Sequence, residues 1–136
     1  MKAVVDTNIL IRALIKPRGT VGPIMTRLRN GDYTLVYSTP LLDELLEKLA
    51  LPRIRHKYRL GVNDIEALVA LIALRGDLVT PNRSIKVCRD PDDDMVIEAA
   101  LAGMAEYIVT GDKDLLTLKK FESVRCITPR VFLAMF

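Results

Sequence analysis

Acidic side chains are the residues in this 136-residue chain best placed to do chemistry. Asp6 directly follows the apolar run Ala3-Val4-Val5, and Asp112 follows the β-rich Tyr107-Ile108-Val109-Thr110 after a single glycine. In an open parallel sheet, ligand sites collect at the carboxyl ends of the strands, so these two acids are expected to meet at one edge. Either acid alone reads equally well as a turn residue or a helix cap. The run Asp90-Pro91-Asp92-Asp93-Asp94 opens a helix. Asp90 reads as its cap, and Asp93 is placed to complete a capping pair. Asp94 lies one turn before Ile97 and two before Leu101, at the border of a stripe formed by Val96, Ile97, Ala100, Leu101 and Met104. It is therefore expected to point to the sheet edge more than Asp92 does. Further back, Asp43 and Glu44 flank opposite sides of an apolar face made by Leu41, Leu42, Leu45, Leu46 and Leu49, and spacing does not choose between them. Glu44 also stands four residues before Lys48, so the plain alternative is a surface ion pair of ~0.3–0.5 kcal/mol.

Carboxylates gathered at one edge repel one another strongly unless some are protonated or a cation sits among them. Oxygen ligands without His or Cys favour Mg²⁺ or Mn²⁺ over zinc. The only histidine, His56, lies in a basic stretch. Cys88 and Cys126 lack CxxC spacing and read as small buried hydrophobes.

The elements that must position these acids follow from local pattern. Expected strands are Ala3–Val5, Thr34–Ser38, Leu78–Thr80, Tyr107–Thr110 and Val124–Ile127. Expected helices run from Asn8 to Lys16, from a cap at Thr20 to Arg29, and from a Thr39-Pro40 cap to about Leu51, where Pro52 stops the chain. Others run from Val62 or Asn63 to Arg75, from Asp90-Pro91 to Gly103, from Asp114 for a short distance, and from Thr128-Pro129 to the end. Strands alternating with helices, without hairpin signals, argue for an α/β fold with a mostly parallel sheet covered by helices. With no repeat or linker, residues 1–136 read as a single domain. Half the residues are hydrophobic and 27% are charged, a globular composition rather than a disordered one. The N-terminus meets an acid too early for a signal peptide, and no apolar run is long enough to span a bilayer, so no membrane role and a cytoplasmic location are expected. The net charge of +3 permits a polyanionic partner without demanding one.

The segment Val4-Val5-Asp6-Thr7-Asn8-Ile9-Leu10 resembles the opening of PIN-domain nucleases. Glu44 stands where that family carries its helical glutamate. Asp94-Met95-Val96-Ile97-Glu98-Ala99-Ala100 resembles its third-acid helix, and Thr110-Gly111-Asp112-Lys113-Asp114-Leu115 its fourth-acid motif. The resemblance spans nearly the whole chain, in the family's order and spacing. It implies a three-layer α/β/α sandwich and Mg²⁺- or Mn²⁺-dependent cleavage of RNA by Asp6, Glu44, Asp94 and Asp112. Asp6, Asp94 and Asp112 would hold an ion, with Glu44 as a further ligand and Asp114 supporting a second ion. Thr7, Asn8 and Thr110 would position water or phosphate. The Arg89–Asp94 approach and the Gly111–Leu115 loop are similar to the toxin components of toxin–antitoxin pairs, which implies an antitoxin partner and a homodimer.

Arg12 and Lys16, near Asp6, and Arg55 and Lys57, in the run Arg53–Arg59 around Tyr58, are candidates for phosphate contact or base stacking. A solvated basic face explains the run equally well. The helix 62–75 is apolar over more than one face (Ile65, Leu68, Val69, Leu71, Ile72 and Leu74). Core packing explains most of this, and a dimer or antitoxin surface would explain the excess. Two rival functions remain. One is a non-catalytic RNA- or partner-binding module. The other is an aspartate-nucleophile phosphatase, which is expected to carry a second Asp where this chain has Asn8.

Overall fold

The inner apolar runs form strands with both faces covered. β1 (Lys2–Val5) leads into α1 (Thr7–Ile15) and α2 (Gly22–Arg29). β2 (Thr34–Ser38) leads into α3 (Thr39–Ala50), the single turn α4 (Pro52–Arg55) and α5 (Val62–Arg75). Then follow β3 (Gly76–Val79), α6 (Pro91–Ala102), β4 (Tyr107–Val109), α7 (Lys113–Leu118), β5 (Lys120–Phe121), β6 (Val124–Ile127) and α8 (Pro129–Leu133). The structure is a computed structural model describing residues 1–136. Ala3, Val4 and Val5 of β1 and Leu35, Val36 and Tyr37 of β2 are wholly buried, as the inner strands of a parallel sheet must be.

The six strands run in the order β3-β2-β1-β4-β6-β5. The pairs β3–β2, β2–β1, β1–β4 and β4–β6 are parallel, and only β5–β6 is antiparallel. The α/β class and mostly parallel sheet are those expected from the sequence. Right-handed crossovers put helices on both faces. The steps β1 to β2 to β3 move one way along the sheet, and the return from β3 to β4 moves the other way, carrying α6 across the opposite face. α6 packs against β1, β2, β4 and β6. Gly103 ends it so close to the sheet that a Cβ there would lie 2.3 Å from Cγ1 of Val36.

Several local expectations change. The β5–β6 hairpin turns through Glu122 and Ser123, with Glu122 in a left-handed conformation (φ 52°). No glycine or asparagine marks that turn, and Arg83 holds Glu122 through two hydrogen bonds, at 2.8 and 3.0 Å. Ser38, not Thr39, caps α3, its Oγ accepting from the Leu41 amide at 3.3 Å. Thr39 and Pro40 are already inside the helix. Val21 rather than Thr20 precedes α2, without a side-chain cap. Pro52 ends α3 but opens α4, because a proline's missing amide is harmless in a first turn. No helix is long and apolar enough to cross a membrane.

Candidate functional site

β1 is the strand at which the chain reverses its direction along the sheet, since β2 flanks it on one side and β4 on the other. The carboxyl ends of β1 and β4 therefore border the topological switch point, where open α/β sheets leave a crevice. A cavity of about 480 Å³ opens there. Six carboxylates line it, from Asp6, Glu44, Asp90, Asp92, Asp93 and Asp112, facing only two cations, Arg12 and Lys48.

Each acid is delivered by the end of an element. Asp6 caps α1: its Oδ1 accepts from the Asn8 amide at 3.2 Å, and its Oδ2 accepts from the Thr110 hydroxyl at 2.9 Å. Asp112 caps α7, its Oδ1 accepting from the Asp114 amide at 3.2 Å. The buried Thr110 joins the two, because its Oγ1 also accepts from the Asp112 amide at 3.0 Å. That hydroxyl, 104 residues from Asp6 in sequence, sets one acid against the other. Glu44 lies on the cavity side of α3 and Asp43 on the exposed side, which settles the choice that periodicity left open.

On α6 the sequence expectation fails at one residue. Asp94 does not line the cavity. It is 7% exposed, and its Oδ1 accepts from the amides of Val87 at 3.1 Å and Cys88 at 2.9 Å. Glu98, one turn on, accepts from the Ile85 amide at 2.8 Å. These two carboxylates fasten the segment from residue 80 to 90 onto α6. Asp93 and Asp92 face the cavity instead. The physical reason is that Val96, Ile97, Ala99 and Ala100 are all buried, so the helix is enclosed on several sides and its apolar stripe has no meaningful border. Met104, assigned to that stripe, falls beyond Gly103 and is 82% exposed.

The electrostatics single out the same residue. The Asp93 carboxyl is pushed up to about 7, first by burial, then by its hydrogen bond with Asp112 and by the charges of Asp112, Asp90 and Asp6. One oxygen each from Asp93, Asp112 and Asp114 lies within 4.8 Å of the others. Asp114 also accepts from Arg89, from Nη2 at 2.6 Å and Nε at 3.3 Å. A proton drawn to a crowd of acids is what such a site shows before a cation balances it, and the all-oxygen donor set suits a hard divalent ion. The nearby Cys88 thiol is pushed up to about 12 by burial and then by Asp94, so it is protonated and a poor ligand.

The remaining candidates divide. Asn8 and Arg12 line the cavity; Lys16, Arg55 and Lys57 do not. The Lys57 ammonium lies 5.4 Å from the ring centre of Tyr58, over the face a base would need. Thr7 is buried, 2% exposed, and does not line the cavity. Beyond Asp90, Asp92 and Asp93, which the sequence reading gave no part in the site, Lys48 in the lining and Tyr37 beneath the surface also bear on it. Sequence spacing offers Lys48 only as a surface partner of Glu44, yet it lines the cavity and also donates to Asn8 Oδ1 at 3.2 Å. Tyr37 is wholly buried with an unpartnered hydroxyl. Its acidity is lowered by burial first, and then by the charges of Asp6 and Glu44. A tyrosine near the end of a buried strand, just before a helix bearing acids, was the available signal.

A family model described as PIN domain matches residues 2–114. An uncharacterized protein of Methanocaldococcus jannaschii is 35% identical over 119 residues, which cover 88% of this chain and 76% of that protein.

Proposed function

The chain belongs to the PIN-domain family, whose members are generally nucleases, and from that premise we propose that it is an endoribonuclease dependent on Mg²⁺ or Mn²⁺. The observation that carries this reading is the convergence of Asp6, Glu44, Asp93 and Asp112 on one open cavity at the switch point of the sheet. Asp93 takes the place given to Asp94 by sequence, with Asp6, Asp112 and Asp114 as the companion carboxylates for a cation. Such an ion, when bound, supplies Lewis-acid polarisation of the phosphodiester and activation of water.

The chain's own groups do the rest. Thr110 and the Asn8 amide fix both oxygens of Asp6. Arg12 and Lys48 are the cations within the cavity that attract the phosphate backbone. A cation held there would favour the ionised form of Asp93, whose carboxyl is otherwise raised by burial and by its acidic neighbours. The phosphatase reading needs a second carboxyl at position 8, and Asn8 there accepts from Lys48 instead of offering a proton to a leaving group. In the test, purified protein cleaves single-stranded RNA with Mn²⁺, cleavage stops in EDTA, and Asp6→Asn abolishes it without lowering the melting temperature. Undiminished cleavage by Asp6→Asn would refute the assignment.

The finer reading is a toxin held by a cognate antitoxin, acting as a homodimer in the cytoplasm, with residues 1–136 forming one nuclease domain. The motif resemblance supports it. So do the exposed Val62, Leu74 and Leu78, at 56, 72 and 60% exposure, which leave apolar surface on α5 and the outer strand β3. Expression should arrest growth, and co-expression of a short neighbouring reading frame should relieve the arrest. Unchanged growth on expression argues against toxicity.

A further inference from the structure

Lys48 stands in the acidic cavity, not beside it. Its ammonium is 2.9 Å from Glu44 Oε1 and 3.2 Å from Asn8 Oδ1, and all three residues line the cavity. An ordinary Glu–Lys pair one helical turn apart points to solvent and is bound to nothing else. This one is two-thirds buried at the lysine, with 34% of the Lys48 side chain and 19% of the Glu44 side chain exposed. It also crosses from α3 to α1, tying residues 40 positions apart. Glu44 and the acids grouped around Asp112, in and beside the cavity, thereby differ in their partners. Asp93, Asp112 and Asp114 bring oxygens within 4.8 Å of one another, and Asp6 is joined to Asp112 through Thr110. Glu44 lies outside that set, with its charge already balanced by the lysine.

We propose that Lys48 is a built-in second cation, so that the centre loads with one divalent ion at the Asp93–Asp112 side and none at Glu44. Phosphoryl chemistry is often served by two metal ions that clamp the attacking and leaving oxygens. A lysine ammonium fixed on Glu44 and Asn8 supplies the second positive charge without exchange, and it repels a second divalent ion from that position. This rests on the metal-dependent reading above.

Counting bound Mn²⁺ by the electron paramagnetic resonance signal of the free ion tests it independently of turnover. Wild type and Lys48→Arg should each hold one tightly bound ion. Lys48→Met should hold two, because Glu44 is released, and adding Glu44→Gln to Lys48→Met should restore one. RNA cleavage by Lys48→Met should fall about a hundredfold, with Lys48→Arg recovering most of it. Two ions in wild type, or one in folded Lys48→Met, overturns the proposal; if Lys48→Met does not fold, the wild-type count decides alone. A wild type that binds two ions and cleaves RNA leaves the nuclease reading standing and removes only this inference. A wild type that neither binds Mn²⁺ nor cleaves removes both.

Discussion

Two neighbouring carboxylates on α6 live in opposite worlds. Asp94 is buried, and two backbone amides of the segment from residue 80 to 90 satisfy it, with Glu98 repeating the arrangement one turn later. Asp93 is half-buried and pressed against Asp112, with Asp90 and Asp6 close enough to add to its repulsion. Both acids have lost water, but only Asp94 has been given donors in exchange. A carboxylate supplied with amide hydrogens is part of the architecture, because those bonds fix a segment that has little regular structure. A carboxylate crowded by its own kind raises the free energy of the metal-free fold, and such an arrangement persists where function uses it.

The sharpest way to break this contrast is to neutralise Asp93. Asp93→Asn should lower RNA cleavage by about two to three orders of magnitude, the range seen when an electrostatic group of a transition state is removed. The same change removes a repulsive charge, so the metal-free protein should melt no lower than wild type. Full cleavage by Asp93→Asn would return the role to another acid.

Asp94 should respond in the reverse sense. Asp94→Ala leaves the amides of Val87 and Cys88 without their acceptor and should lower stability in urea by about 2–3 kcal/mol, the scale of hydrogen bonds to a charged group. Mn²⁺ should still bind to the fraction that folds. A stable Asp94→Ala that no longer binds Mn²⁺ would make Asp94 a ligand and erase the distinction.

Acidity separates the two regions less drastically. The unfolded chain releases the Asp93 proton near pH ~4, whereas the folded, metal-free protein holds it to about 7. Between these values the native state binds more protons than the unfolded state, so stability falls as pH rises. In EDTA the melting temperature should therefore decline across that window through this group. Asp93→Asn should flatten the decline, and so should saturating Mg²⁺. An equally steep slope in Asp93→Asn would assign it to other groups.

The same contrast explains what could be read in advance. The parallel sheet was legible because β1, β2 and β4 are short apolar runs followed by helix signals, and the positions of Asp6 and Asp112 follow from strand ends alone. Which acid of α6 enters the cavity was not legible. Successive helical residues differ by about 100° in direction, so one position decides between cavity and core. The rotation follows from the burial of Val96, Ile97, Ala99 and Ala100, and the amides that then meet Asp94 come from Val87 and Cys88, in a segment that gives no periodic signal. β5 stayed hidden for a similar reason: two residues carry no pattern, and its turn relies on Glu122 and Arg83 instead of glycine. Lys48 was visible as a partner of Glu44, but its bond to Asn8 depends on how α1 meets α3.

Tyr37 gives the smallest test and bears on both regions. Its hydroxyl is buried without a partner, in the field of Asp6 and Glu44. If the surroundings are as dry as those of Asp94, the hydroxyl is a cost, and Tyr37→Phe should raise stability by up to about 1 kcal/mol, because an unsatisfied buried group is removed. RNA cleavage should then stay near wild type. If instead the floor of the cavity holds an ordered water between this hydroxyl and the two acids, Tyr37→Phe removes one of the partners that such a water needs. Stability would then drop, and with it the affinity for Mn²⁺. A melting curve and a Mn²⁺ titration on this one variant therefore decide whether water reaches beneath the acids as well as above them.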